Sequence, residues 1–460
     1  MQDKKLNSGG TMKLEIKNPK GQGTIEITDK EQIEVILMQT NEEKFRLACA
    51  TPFVQGKLAD DLGPRGLTKK AEDVLQGTYI PPPDTHLGAL NFLQSVQMSD
   101  AILNAPPISS AITAAQHTTF WRSQRESTQS SPSGLHFGFM KTTAKIPRLA
   151  ETISKFVSIP YESGYSPDRW RNSINVTLMK EEGEYRPEKE RTIHLLESSF
   201  SEGTKIICSR RMMQHARRYG QIPLDQYAQK GGKAIDAAIQ KILIFDLMRI
   251  KRCAGVCFAN DLMACYDWMA HVPSSLALRF LGVPPRAVEC MSTTIQQMRH
   301  YIRTAYGDSD HYYGGDVDNL LEGGGQESPV APPISIALTV IVLRMLAQYE
   351  PGVTAVFAIS ATILTFTAIL YVDDTDLFTM QQPHETVDDL LRRTQTQTSR
   401  WVEAMWATGA ALRPEKCWWC IVDFAWEGSK WRYKTYDEHQ AELLVRDDDG
   451  LYQKVQRIDV

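Results

Sequence analysis

The chain has 460 residues, 42% of them hydrophobic and 23% charged, the make-up of a soluble globular protein with room for two or three domains. Its net charge of −4 excludes a uniformly basic nucleic-acid coat, although residues 201–252 hold eleven Lys/Arg against four Asp/Glu and residues 437–449 are acidic. The polar start (Met1-Gln2-Asp3-Lys4-Lys5) lacks the apolar core of a signal peptide. Eight scattered cysteines with one CxxC, Cys417 and Cys420, point to reduced thiols in an intracellular protein rather than a zinc site.

Residues 1–80 alternate polar turns with modest helical patterns such as 40–50 and carry no catalytic signature. Pro81-Pro82-Pro83 is a stiff connector. Residues 86–103 form an amphipathic pattern, and the Ser/Thr/Gln-rich stretch 125–133 is an exposed loop. Residues 170–180 alternate as a strand ending in Lys180, and a polar turn leads to a second strand opening at Arg191. A cation on each arm of such a hairpin can reach a triphosphate. Helical spacing covers 204–219 and 233–250, the latter with Ile235, Ala238, Ile239, Ile242 and Phe245 as its apolar positions. The basic, Gly-containing loop 226–233 between them suits backbone phosphates.

Residues 253–260 read as a short buried strand ending at Asp261, and 328–348 as an apolar helix. Residues 353–372 are uncharged for the length of a membrane span. Their Thr and β-branched content makes them two short buried strands instead. Residues 386–408 are a long amphipathic helix stopped by Gly409. The order strand, helices, hairpin, helix, strand is that of a split βαβ sheet with helices on one face.

One stretch organises the rest. Tyr371-Val372-Asp373-Asp374 puts two acids at the tip of a hairpin. Paired like charges need a compensating cation, and hard carboxylate oxygens suit Mg²⁺. If the strand ending at Asp261 lies beside this hairpin, three carboxylates meet at one sheet edge, as two-metal phosphoryl transfer requires.

Seven blocks in order resemble the reverse transcriptase domain of non-long-terminal-repeat retroelements. They are SPSGLHFGFMK (131–141), WRNSINVTLMK to ERTIHLL (170–196), QYAQKGGKAIDA (226–237), FANDLMACYD (258–267), GGGQESPVAPP (323–333), YVDD (371–374) and GAALRPEK (409–416). The resemblance implies an α+β right-hand polymerase chain. Residues 1–130 would be a mostly helical N-terminal extension and 131–252 a fingers-like region. Residues 253–425 would form a palm, a ferredoxin-like antiparallel sheet with helices on one face. Residues 426–460 would begin the path to a thumb that is absent or incomplete.

It further implies RNA-templated DNA synthesis with two Mg²⁺ ions, or Mn²⁺ in their place, acting on an RNA template, a DNA primer and deoxynucleoside triphosphates, with no membrane involved. Asp261, Asp373 and Asp374 would hold the metals, and Lys416 would be a general acid near the pyrophosphate. Tyr266 would exclude a 2′-hydroxyl, Gln326 would contact the nucleotide, and Lys180 and Arg191 its triphosphate. The pattern departs from the family at Glu327, where a glycine is usual, and at Met263 and Trp268, where Lys and Arg are usual. Two other readings are a catalytically silent nucleic-acid-binding fragment and an RNA-dependent RNA polymerase.

Overall fold

The computed structural model describes all residues except 1–9, 20, 127–132, 230, 264–265, 327, 351, 357–359, 373 and 448–449. Its helices and strands are mixed along the chain. The N-terminal part opens with a strand pair, Leu14–Lys17 (β1) and Thr24–Ile27 (β2), followed by a 17-residue helix, Lys30–Arg46 (α1). The amphipathic pattern expected over 86–103 is two helices, Leu87–Ser95 and Asp100–Leu103, because the first ends at Val96 and Ser99 starts the second.

A four-stranded sheet comes next, built from Asn172–Leu178 (β3), Arg191–Leu195 (β4), Arg299–Thr304 (β6) and Gly307–Gly314 (β7) in the order β4-β3-β6-β7. The expected β3–β4 hairpin is present, antiparallel with Leu178 opposite Arg191. The β6–β7 hairpin lies inside residues 253–425, the range assigned to the palm, yet β6 runs parallel to β3 in this other sheet. The two regions therefore interlock rather than follow one another.

The basic run between them is largely consumed by internal contacts. It forms a continuous helical stretch over 198–218, with a π-helical middle at Lys205–Arg211. Arg210 lies over the Phe120 ring at 5.5 Å, and Arg211 donates to the Ala111 carbonyl (2.8 Å) and to Gln116 (2.6 Å). The helix Ala234–Lys251 (α2) continues this use of cations, with Arg252 over Trp426 at 4.3 Å.

The central sheet is organised around Gly255–Met263 (β5). Ala368–Tyr371 (β10), Asp374–Met380 (β11), β5, Trp418–Val422 (β13) and Gln456–Arg457 (β14) lie in that order, and Ala411–Leu412 (β12) pairs with the far end of β5. Strand alternation divides the sheet's side chains between two cores. Val256, Phe258, Leu377, Trp419 and Ile421 enter the larger one, with the helices Ala331–Tyr349 (α3) and Val387–Ala407 (α4). Cys257, Phe378, Cys420 and Val422 face the other way, against Ala237, Ile244 and Met248 of α2.

Helices thus cover both faces, not one as expected, because α2 returns under the sheet. Its orientation also differs from the sequence reading. Ile235, Ile239 and Ile242 are exposed, since α2 is apolar on several sides and Lys241 fixes its rotation by pairing with Asp376 (2.9 Å) under Trp418. Cys417 and Cys420 sit in different cores.

Among its described residues, the 353–372 run holds three strands rather than two, and no helix. Val353–Val356 (β8) and Ile363–Phe366 (β9) form a separate hairpin with Val356 and Ile363 exposed, and Thr367 separates it from β10. The expected helix over 386–408 is α4, whose capping box joins Thr386 and Asp389. Among the described residues α3 is long and apolar enough to cross a membrane, but it is mostly buried in the larger core.

Candidate active site

Tyr371 and Asp374 are directly paired across the β10–β11 hairpin, so its turn is two residues long. Val372 takes a positive φ of 64°, as such tight turns require. For a β-branched residue that costs on the order of 1–2 kcal/mol, strain held at the hairpin tip. Asp373 lies outside the described residues.

The register of β11 against β5 then sets Asp374 directly opposite Asp261. Asp261 does not end its strand as expected. Leu262 and Met263 continue it and pair with Leu412 and Ala411 of β12. That extension delivers the segment after β12 to the acids. The Arg413 amide donates to the Asp261 carbonyl (3.2 Å), and Lys416 Nζ lies 3.1 Å from Asp261 Oδ2. Carboxylates directly opposite on adjacent strands repel, and the Lys416 ammonium offsets part of that repulsion.

Neighbouring residues pin this register. Asn260, on the other face, donates to the Thr375 carbonyl (2.9 Å) and accepts from Trp401 Nε1 (3.2 Å), tying the acid pair to α4. Among the described residues no cluster of three His, Cys, Asp or Glu side chains forms a ready metal cage. Asp261 and Asp374 nonetheless supply hard oxygen donors from adjoining strands, a donor set that fits Mg²⁺ rather than a softer ion.

The loop carrying Gln326 packs against Tyr266-Asp267. The amides of Gly324 and Gly325 donate to the Tyr266 carbonyl (2.7 and 3.2 Å). Gly323 has φ +88°, and a Cβ there would fall against the Asp267 carbonyl. Gln326 Nε2 donates to Asp267 Oδ2 (3.1 Å), and its carbonyl accepts from the His194 amide (3.3 Å). This ties Gln326 to the strand that begins at Arg191. The Tyr266 ring packs, partly buried, against the larger core.

Asp267 is 1% exposed, its Oδ1 has no hydrogen-bond partner among the described residues, and burial raises its carboxyl to about 6. Lys180, just past β3, has its amine pushed below the usual lysine range by burial. The charges of Lys44, Arg413, Arg191 and Lys416 push it further in the same direction.

The structure therefore brings together Asp261, Asp374 and Lys416 directly, and Lys180, Arg191 and Lys416 as neighbouring cations. Gln326 is joined to Arg191 through β4. Sequence reading missed three participants. Asp267 and Arg413 lie inside quoted blocks and were open to notice, whereas Lys44 carries no sequence signal. Chemically, the arrangement sets two carboxylates, a donor type able to take a divalent cation, beside cations able to take an anion. No protein-family model matches the chain, and no curated protein matches it.

Proposed function

We propose that this chain is the fingers and palm of a reverse transcriptase, adding deoxynucleotides to a primer 3′-hydroxyl on an RNA template. One observation carries the reading: Asp374 is the register partner of Asp261, and Lys416 contacts Asp261. The β4-β3-β6-β7 sheet corresponds to the fingers and the sheet around β5 to the palm.

Asp261 and Asp374, with Asp373, would hold Mg²⁺, which lowers the pKa of the attacking hydroxyl and offsets charge on the leaving pyrophosphate. Lys180 and Arg191 hold the triphosphate, and Gln326, fixed by Asp267, sets the nucleotide's position. The Tyr266 ring closes the space beside the sugar 2′ carbon. Lys416, freed from Asp261 once that carboxylate is otherwise engaged, is placed to give a proton to the departing pyrophosphate.

One observation favours the catalytically silent alternative. Trp268, standing where the family pattern has a cation, is buried, so no charge replaces the lost one at that position.

Primer extension with Mg²⁺ on an RNA template, comparing the parent chain with Asp374→Asn, separates the two. Extension by the parent, reduced at least about a hundredfold in the variant, supports the enzyme. Absence of extension by the parent, with template binding intact, supports the silent form.

A further inference from the structure

The cations that bear on Lys180 come from three parts of the chain: α1 supplies Lys44, β4 begins at Arg191, and the segment after β12 gives Arg413 and Lys416. Among the described residues, Lys416 alone of these has a carboxylate within ion-pair distance. The buried Nε of Arg413 has no hydrogen-bond partner among the described residues.

The turn of α1 that carries Lys44 is fixed by Asn41 and Phe45, which lie four residues apart on one face of the helix. Asn41, one turn earlier, accepts from Thr192 Oγ1 (2.8 Å), next to Arg191. The Phe45 ring meets His194 edge-on at 5.4 Å, and its carbonyl accepts from the Glu322 amide (3.0 Å), four residues before Gln326. This turn of α1 is therefore clamped between β4 and the Gln326 loop.

Lys44 is half-buried there, and its charge reaches Glu190, His194 and Asp267 as well as Lys180. Glu190 and Asp267 are not within ion-pair distance of it, and burial holds their carboxyls at about 7 and about 6. Like charges gathered by a fold with so little internal neutralisation destabilise it until an anion completes the site.

We propose that Lys44 is a phosphate-contacting residue, so that the N-terminal helix α1 forms one wall of a triphosphate pocket. It rests on the nucleotide site proposed above. A polyphosphate fits better than a nucleic-acid backbone, because the turn of α1 carrying Lys44, the strand that begins at Arg191 and the Gln326 loop are joined at one place. A backbone spreads its charges along a groove and is met by cations in a track.

The test is titration of the whole protein with Mg·dGTP, and separately with a single-stranded RNA oligonucleotide, for the parent, Lys44→Ala, Lys44→Gln and Lys44→Arg. Exposed Lys57→Ala serves as a control, and melting curves verify folding of each variant. The expected result is weakening of dGTP binding by about tenfold or more in both neutral variants. Lys44→Arg should stay within about threefold of the parent, and RNA affinity should be unchanged.

Unaltered dGTP affinity in folded Lys44→Ala or Lys44→Gln overturns the inference, as does loss confined to RNA, which would assign Lys44 to the template. Binding of dGTP through Lys44 without primer extension keeps the inference and removes the polymerase reading. A parent chain that binds no dGTP overturns both.

Discussion

Replacing Asp267 by Asn tests whether the carboxyl behind Gln326 is held toward its neutral form. Its pKa, about 6 in the folded chain against 3.8 ordinarily, is raised because burial disfavours the charge more than Lys44, Gln326 and Lys180 favour it. Well below pH 3.8 both folded and unfolded chains carry the proton, and the group contributes no pH dependence. As pH rises from about 4 to about 6, the unfolded chain loses the proton first, so the folded chain binds more and stability falls.

Two units at 1.36 kcal/mol each give a loss of about 3 kcal/mol, complete above about pH 6. Asn keeps an acceptor for Gln326 Nε2 and cannot ionise, so its stability should lack this decline. Urea unfolding of parent and variant at half-unit steps from pH 4 to pH 8 reads the difference directly. The variant should gain on the parent by about 3 kcal/mol across that window and stay level above it. A difference that is flat with pH, or grows in the opposite direction, would refute the assignment of a buried, raised carboxyl.

Other expectations follow from the same geometry. Trp401→Ala should cost about 3–5 kcal/mol in urea unfolding, because it empties a fully buried site and strips Asn260 of its donor. Gly323→Ala should destabilise by more than about 2 kcal/mol, since a Cβ meets the Asp267 carbonyl and the residue must keep a positive φ. In steady-state kinetics, Gly323→Ala should also raise KM for the nucleotide more than it lowers kcat, because the same loop carries Gln326. Tyr266→Ala should admit ribonucleotides in a competition between dGTP and GTP; unchanged sugar selectivity would count against a steric role for the ring.

The sequence exposed those parts of the site where chemistry and spacing coincide. Apolar runs leading into acids located β5 and the β10–β11 hairpin, and Gly409 marked the end of α4 to within a residue of where the reading put it. It did not place β6 and β7, because nothing local to 299–314 says that its partner strand lies more than a hundred residues earlier. The stripe chosen on α2 was wrong for a related reason. With apolar residues on several sides, periodicity offers more than one inward face, and the ion pair of Lys241 with Asp376 selects among them. Lys44 was invisible because its role depends on where α1 docks, and that is set by Asn41 and Phe45 meeting residues far along the chain.

The juxtaposition of Asp261 and Asp374 at one cation can be read without any turnover. Fe²⁺ placed at a Mg²⁺ site and supplied with hydrogen peroxide and ascorbate reduces the peroxide to hydroxyl radicals that cut the backbone beside its ligands, so cleavage of the intact protein maps them. One metal shared by β5 and β11 should give paired cuts near residues 261 and 374, suppressed by excess Mg²⁺ and both abolished by Asp261→Asn. Cuts at one strand alone, cuts elsewhere, or paired cuts that survive Asp261→Asn would contradict a metal held between these two strands.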